Sequence, residues 1–248
     1  AEVSIGDFAT ALGINKDLFI ADKTWVTGDW LGDDSHAQRQ LRRSMERLWR
    51  DQIDLMQVHS LVNARTVIRA MQDWKQDGKI RYIGASHHQP SYYHLMAPLI
   101  EKGTLDFAQV RYSLATRVAE ERILPAALDN GTAVMVNMPF EKARLFQIVK
   151  GRPLPDFAGE IGCESWGQFF LKWIVSHPAV TCAIPATTKP KHQMDNIGAL
   201  KGPLPDEEMR NRMLAHMQTI PDFDKVANMP AYPGKTFDGV VNRGPRKP

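Results

Sequence analysis

The fold is decided by residues 53–86, which have the sequence IDLMQVHSLVNARTVIRAMQDWKQDGKIRYIGAS. The apolar run at 53–58 predicts a β-strand, and a second run at 80–84 predicts another. Between them, Gly78 stands where a helix should end, after apolar residues at helical spacing, namely Val67, Ile68, Met71 and Trp74. A strand, a helix and a strand in succession form a crossover unit, so the two strands are predicted to be parallel.

The same unit repeats on both sides of this segment. Similar apolar runs predict four more strands, at residues 18–21, 107–110, 133–136 and 180–184. Successive strand ends are 36, 27, 26 and 27 positions apart, measured along Lys23, His59, Ser86, Tyr112 and Pro139. Uninterrupted apolar strands are typical of parallel sheets that are covered on both faces.

A (β/α)8 TIM barrel fits this repeat better than an open doubly wound sheet. The doubly wound sheet would carry a glycine-rich phosphate turn after its first strand, whereas this chain has Asp22-Lys23-Thr24-Trp25 there. We therefore predict an α/β fold of the TIM-barrel type in which the first two β/α units are missing. Residues 1–220 are predicted to form this incomplete barrel domain, and residues 221–248 an irregular C-terminal extension.

The composition excludes several classes of protein. The 248 residues are 43% hydrophobic and 24% charged, as in an ordinary soluble globular protein, and no apolar stretch reaches the roughly 18 residues that a membrane span needs. The net charge of +3 is spread along the chain, which argues against a nucleic-acid partner. Cys163 and Cys182 fit no disulfide framework, and His87 and His88 lack a patterned third ligand, so no metal site is expected.

Polar residues follow directly on the apolar runs, where a barrel of this kind places its chemistry. They are Lys23, His59, Ser86 with His87 and His88, Gln109 with Tyr112, and Asn137. A lysine there can have its pKa shifted by burial and by neighbouring charges, which suits it to be a Schiff-base amine or an electrostatic partner. His59, on the next strand, is then predicted to belong to the same site rather than to the core.

The segment after the last predicted strand favours an anion site. It has the sequence Ile184-Pro185-Ala186-Thr187-Thr188-Lys189-Pro190-Lys191-His192. Pro190 suits the first helical turn, and Thr188 or Lys189 is the predicted cap. Free N–H groups at a helix N-terminus, beside hydroxyls and cations, suit a phosphate, and late barrel strands often carry the phosphate site of this fold.

Four motifs occur in order along the chain. They are Asp22-Lys23-Thr24, Asp54-Leu55-Met56-Gln57-Val58-His59-Ser60, Gly78-Lys79-Ile80-Arg81-Tyr82-Ile83-Gly84-Ala85-Ser86 and Gln109-Val110-Arg111-Tyr112-Ser113. Together they resemble the aldo-keto reductase family, and the resemblance covers about residues 1–215. The sequence from 154 to 196, notably Ser165-Trp166-Gly167-Gln168, resembles a bacterial branch of the family whose members often carry twin-arginine export signals.

The resemblance implies a role for each matched position. Lys23 corresponds to the family lysine that acts on the catalytic tyrosine, and His59 to the histidine that orients the substrate carbonyl. Trp25 would line the substrate pocket. The implied cofactor-binding residues are Ser86, His87 and Gln109 at the nicotinamide, Phe140 on the pyrophosphate loop, and Thr187, Lys189, His192 and Asn196 at the adenosine and 2′-phosphate.

The chain also departs from the family pattern. His87 stands where the family has an asparagine, and Asn137 where a tyrosine often stacks under the nicotinamide. Ala186 and His192 replace the usual lysine and arginine of the phosphate segment. The family motif Tyr-Gly-x-x-Glu would end at Glu2, so its tyrosine would fall before the first residue. The resemblance thus implies a chain truncated within its second β/α unit, without the catalytic aspartate and tyrosine.

The implied function is that of an NAD(P)H-dependent oxidoreductase that reduces aldehydes or ketones to alcohols. NADP(H) is favoured over NAD(H), and the expected partners are small carbonyl compounds. Two alternatives stay open, a Schiff-base aldolase that uses Lys23 and a non-catalytic nicotinamide-binding regulatory subunit. The 248 residues alone are expected to bind the cofactor weakly and to reduce no carbonyl compound. The default compartment is the cytoplasm, and an upstream twin-arginine signal would make it the periplasm.

Overall fold

The computed structural model describes residues 1–25 and 32–233, in which strands and helices alternate. The strands are β1 (Ala21–Thr24), β2 (Ile53–His59), β3 (Ile80–His87), β4 (Phe107–Arg111), β5 (Ala133–Asn137) and β6 (Val180–Ala183). The α-helices are α1 (Glu2–Ala11), α2 (Ser35–Leu48), α3 (Ala64–Gln76), α4 (Tyr93–Glu101), α5 (Ile123–Asn130), α6 (Arg144–Ile148), α7 (Trp166–Val175), α8 (Pro190–Gly198) and α9 (Glu207–Gln218).

The six strands form one parallel sheet in the order β1-β2-β3-β4-β5-β6. Each crossover adds the next strand on the same side, which is the winding of a barrel, whereas a doubly wound sheet reverses its order. The predicted α/β class and its strand repeat are therefore confirmed. Among the described residues the sheet is not closed, and β1 and β6 are its two edges.

The first strand does not have its predicted bounds. Residues 18–21 were expected to pair, but the ladder with β2 begins at Ala21, opposite Leu55. Before it, the backbone N–H of Ile20 donates instead to the side chain of Asp54, at 2.9 Å. This shift places Lys23 inside β1 rather than after it.

Helices α1 and α2 bury only part of their apolar residues. Leu41 and Leu48 of α2 are buried, whereas Trp49 is the left-handed C-cap of this helix and is 67% exposed. In α1, Ala9 is buried and Phe8 is exposed, as is Leu12 at the C-cap.

Side chains alternate between the two faces of the sheet, because successive residues of a strand point to opposite sides. One face is apolar and packs against the helices to form the main core. Its core residues are Met56, Val58, Ile83, Ala85, Ala108, Val110, Val134 and Val136. We call the opposite side the inner face. Its carboxyl-terminal half carries polar side chains, which form the candidate site.

The segment after α9 contacts the rest of the molecule as far as it is described. A 3₁₀ helix spans Phe223–Asn228, and Val226 within it is fully buried. The backbone N–H of Tyr232 donates to the carbonyl of Lys142, at 2.8 Å. The predicted division at residue 220 stays a prediction, and the remainder of the predicted extension, 234–248, lies outside the described residues.

Candidate active site

The register of the strands brings four predicted residues to the inner face. His59 at the end of β2 is opposite Ser86 of β3, and Ser86 is opposite Gln109 of β4. Lys23 of β1 is opposite Gln57, which points to the same side as His59 because the two are separated by one residue. Lys23, Gln57, His59, Ser86 and Gln109 thus form one row, which we call the inner polar row.

Lys23 is half-buried at the edge strand. Burial lowers the pKa of its amine below the ordinary value, and the neighbouring carboxylate of Asp22 offsets part of this. Burial in turn raises the pKa of Asp22, and the Oδ2 atom of that residue is buried without a hydrogen-bond partner. Lys23 is therefore an amine whose charge state responds to what binds next to it.

His59 continues the row as a neutral imidazole at neutral pH. Burial lowers its pKa, and the nearby positive charges of Lys23 and His88 lower it further. The indole of Trp25 meets the imidazole edge-on, with ring centroids 5.6 Å apart. Trp25 itself is 54% exposed. A neutral histidine between an amine and an exposed aromatic ring can donate one hydrogen bond to an oxygen atom of a ligand.

Gln57 was not predicted and is the most buried member of the row. Its Nε2 donates to Gln109 Oε1 at 3.4 Å, whereas its own Oε1 has no hydrogen-bond partner. A Cβ on Gly84 of the next strand would come within 2.8 Å of Gln57 Cγ, so a glycine is needed to make room for this side chain. A polar residue two positions before His59, in an otherwise apolar strand, was the sequence signal.

Ser86 and Gln109 complete the row at β3 and β4. Both are buried, at 3% and 5% exposure. A serine hydroxyl and a glutamine amide each combine a donor with an acceptor. Side by side on neighbouring strands, they can bind a planar amide group, which also presents one donor side and one acceptor side.

His87 is not brought into the row. His87 follows Ser86 and therefore points to the opposite face, where its ring stacks on Tyr92 with centroids 4.1 Å apart. Its Nδ1 accepts a hydrogen bond from the backbone N–H of Gln89. In the described parts of the chain, no three His, Cys, Asp or Glu residues form a cluster suited to a metal ion.

Tyr112 is likewise separated from Gln109, although both belong to one motif. Its hydroxyl donates to Glu120 Oε1 at 2.5 Å and accepts from Arg210 Nη2 at 2.9 Å. Arg210 also donates to the carbonyl of Trp173, and its guanidinium lies 4.3 Å from the centroid of that ring. Tyr112 therefore ties β4 to α7 and α9, and its role is structural.

The predicted anion segment follows β6 and continues into α8. Lys189 is the N-cap, and Pro190 is the first residue of the helix. The backbone N–H of Lys189 donates a hydrogen bond to Thr187 Oγ1, at 3.1 Å. Lys189 and His192 are exposed, and Asn196 is half-buried. All strands are parallel, so this segment leaves the sheet at the edge where the inner polar row also lies.

Helix α8 is attached to the molecule by polar contacts, since none of its residues is buried. Asp195 accepts hydrogen bonds from Ser165 Oγ and from Gln168 Nε2, both at 2.9 Å. Gly198 packs so closely on Gln168 that a Cβ there would lie 2.5 Å from its Nε2 atom. The anion segment is thus held against α7 by hydrogen bonds rather than by core packing.

Phe140 lies in the loop after β5. Its ring packs on Phe146 and Phe170, with centroids 4.9 Å and 6.5 Å away. The next residue, Glu141, is fully buried and pairs with Arg111 at the end of β4. Sequence reasoning missed this pair, because Glu141 lies in the loop after β5, 30 positions from Arg111.

The comparisons with known proteins agree with this geometry. A sequence model of the Aldo/keto reductase family matches residues 1–212. The chain belongs to this family. That result confirms the assignment drawn from the four motifs, whereas the role of each single residue stays a prediction.

Relatives of the chain in this family include named reductases. An aldo-keto reductase of Strobilurus tenacellus is 27% identical, over 93% of this chain and 78% of its own length. The NADH-specific methylglyoxal reductase of Escherichia coli is 26% identical, over 75% of this chain and 61% of its own length. The chain thus matches about three-fifths of the length of the bacterial relative.

A solved structure supports the fold. The aldo/keto reductase from Klebsiella pneumoniae, in complex with NADP and acetate, superposes with a TM-score of 0.68 at 24% identity. The match covers 89% of this chain and 75% of that chain. No α-helix within residues 1–25 and 32–233 is long and apolar enough to cross a membrane.

Proposed function

We propose that this chain carries the nicotinamide-binding face of a carbonyl reductase that converts aldehydes or ketones to alcohols. The observation that carries the proposal is the inner polar row, in which Lys23, His59, Ser86 and Gln109 share one face. Membership of the Aldo/keto reductase family supports it. The relatives, which include a methylglyoxal reductase, agree with a small carbonyl substrate.

The chemistry of the row fits a nicotinamide cofactor. Ser86 and Gln109 would bind the carboxamide, because each offers a donor and an acceptor at the same place. The buried Oε1 of Gln57 has no donor in the protein, so a polar ligand group next to this atom would remove the cost of its burial. When bound, the cofactor supplies the hydride.

The remaining cofactor contacts are assigned by family resemblance. Phe140 would lie at the pyrophosphate, and Thr187, Lys189, His192 and Asn196 would bind the adenosine and the 2′-phosphate. Exposed Lys189 and the N-terminus of α8 favour a phosphate, so we propose NADP(H) as the preferred cofactor. The Klebsiella structure contains NADP, whereas the name of the Escherichia coli relative specifies NADH.

His59 and Lys23 would act on the carbonyl substrate. A neutral His59 can donate a hydrogen bond to the carbonyl oxygen and stabilise the negative charge that develops there. The ammonium of Lys23 favours ionisation of a neighbouring proton donor. Trp25, exposed and in contact with His59, would line the substrate pocket.

The buried tyrosines of the chain are unsuited to be that proton donor. Burial raises the pKa of both Tyr93 and Tyr112. The Tyr93 hydroxyl donates to the carbonyl of Arg111, and that of Tyr112 donates to Glu120. We therefore propose neither tyrosine as the proton donor.

The proposal is tested by titrating the protein with NADPH and with NADH and following its tryptophan fluorescence. Gln109→Leu should weaken NADPH binding by about tenfold, because a hydrogen-bonding side chain is replaced by an apolar one of similar size. Gln218→Leu, on an exposed position of α9, is the matched control and should bind as the wild type does. Equal affinity of the wild type and Gln109→Leu would contradict the assignment of the row.

A second function is favoured by the half-buried position of Lys23 on the inner face, where burial lowers the pKa of the amine below its ordinary value. An amine that is deprotonated more easily can form a Schiff base with a carbonyl substrate, as in an aldolase. Borohydride treatment in the presence of an aldehyde would then add mass at Lys23, without any nicotinamide cofactor. Cofactor binding with no turnover in a protein that contains the tyrosine would instead support a regulatory subunit.

A further inference from the structure

The loop between β5 and α6, residues 138–143, folds around a buried carboxylate. Glu141 accepts hydrogen bonds from Arg111 Nε at 3.0 Å, from Arg111 Nη2, and from Ser113 Oγ at 2.7 Å. Arg144 Nη1 lies 3.7 Å from Glu141 Oε2. Glu141 is fully buried and both arginine side chains are 12% exposed, so one carboxylate neutralises two nearly buried guanidinium groups.

The backbone of this loop is in a conformation that its residues do not favour. Met138, Glu141, Lys142 and Ala143 have φ angles of 53°, 52°, 52° and 68°. In this left-handed region the Cβ atom crowds the following carbonyl oxygen, and none of the four residues is a glycine. Such a backbone persists only when tertiary contacts hold it, and the buried ion cluster lies at its centre.

The cluster is joined to the end of the candidate site. Arg111 is the last residue of β4 and is opposite Asn137, the last residue of β5. Arg111 also follows Gln109 by two positions, so both belong to the inner face. On the other side of the loop, the carbonyl of Lys142 accepts a hydrogen bond from the backbone N–H of Tyr232, at 2.8 Å. The side chain of Glu141 therefore connects the loop to the sheet, and the backbone of Lys142 connects it to the C-terminal segment.

We propose that Glu141 is a positioning residue, which holds the 138–143 loop in its left-handed form and so keeps the cofactor site ready to bind. This inference rests on the proposed function. Without the carboxylate, the two guanidinium groups would be left nearly buried and uncompensated, and the loop would open to solvate them. Binding would then have to close the loop again, which lowers the apparent affinity by the fraction of molecules that are closed.

The test compares two buried carboxylates that each pair with two arginines. Asp54 is 2% exposed and pairs with Arg50 at 3.1 Å and Arg81 at 2.8 Å, near the amino end of β2. Asp54→Asn is therefore the matched control for Glu141→Gln. Amide hydrogen exchange of residues 138–143 is measured without cofactor, and the dissociation constant of NADPH is measured by fluorescence.

Glu141→Gln should speed amide hydrogen exchange in the loop and weaken NADPH binding, each by about tenfold. This is the change in an equilibrium constant expected for the loss of one charge-assisted hydrogen bond. Asp54→Asn should lower the resistance to urea, but should leave loop exchange and NADPH affinity within about twofold of the wild type. Unchanged exchange and affinity in Glu141→Gln would overturn the inference. Equal losses in the two variants would also overturn it, because they would indicate general destabilisation.

Two further outcomes keep the inference separate from the proposed function. If the wild type binds neither NADPH nor NADH, the proposed function is wrong, and so is the cofactor part of this inference. Amide hydrogen exchange still tests whether Glu141 stabilises the loop conformation. If Glu141→Gln does not fold, Ser113→Ala decides, since it removes one hydrogen bond to Glu141 and leaves the charges in place. We expect about threefold changes in the same directions, and no change would refute the inference.

Discussion

Two polar regions flank strand β4, and they differ in how far their polar atoms are paired. On the helix-covered side, the Tyr112 hydroxyl has both Glu120 and Arg210 as partners. On the inner face, Gln57 has one long hydrogen bond to Gln109 and a buried oxygen with none. A buried polar atom without a partner costs about 1–3 kcal/mol. The first region therefore stabilises the fold, whereas the second carries a cost that a ligand would offset.

The largest effect is expected where the inner face meets the substrate. Lys23→Met, in a protein that contains the family tyrosine, should lower the turnover rate by about a hundredfold or more. The dissociation constant of NADPH should change by less than about threefold, because the role proposed for the lysine is on the proton donor and not on the cofactor. Steady-state kinetics and a cofactor titration check this, and comparable losses in both would contradict the assigned role.

The corresponding change on the paired side should affect stability alone. Arg210→Met removes one of the two partners of the Tyr112 hydroxyl and the donor to the Trp173 carbonyl and Ser176 Oγ. The free energy of unfolding should therefore fall by about 2–4 kcal/mol. Urea denaturation measures this, and the NADPH affinity of the folded fraction should stay unchanged. Arg212→Met is the control, since Arg212 is exposed and pairs with exposed Glu160, and we expect no measurable change.

Gln57→Leu sharpens the same comparison with a smaller effect. Leucine has a similar size and removes the unpaired oxygen, so the free energy of unfolding should rise or change by no more than about 1 kcal/mol. NADPH affinity should nevertheless fall, because the row loses a polar member. A large loss of stability together with unaltered affinity would mean that Gln57 belongs to the structural side of the comparison.

The sequence predicted the strands of the sheet better than it predicted which polar residues lie on the inner face and which on the helix-covered side. Continuous apolar strands such as β2 show which residues pair but not which face each one occupies, so Gln57 was missed and His87 was grouped with Ser86. Tyr112 and Gln109 stand in one motif, but they are three positions apart and serve opposite faces, and β4 ends before Tyr112. Glu141 could not be found from spacing, because its burial depends on Arg111, which lies 30 positions away.

The smallest predicted effect concerns pH. Burial lowers the pKa of His59 and of His87 below the ordinary value of 6.5. The unfolded chain therefore binds more protons near that pH, so the free energy of unfolding should decrease as the pH falls from about 7 to 5. His87→Asn should flatten this dependence, whereas His94→Asn, at an exposed position of α4, should not. Urea denaturation across this pH range is the measurement, and parallel curves for both variants would show that His87 does not contribute.

The polar attachment of α8 has an evolutionary consequence. Since no residue of that helix is buried, replacing Lys189 or His192 leaves no cavity and disturbs no packed neighbour. If Lys189 and His192 bind the coenzyme as proposed, mutations that change coenzyme preference would cost little folding stability here, in contrast to the inner face, where even Gly84 is constrained by Gln57. Under that assignment, coenzyme preference could change in few substitutions while Lys23 and His59 are retained.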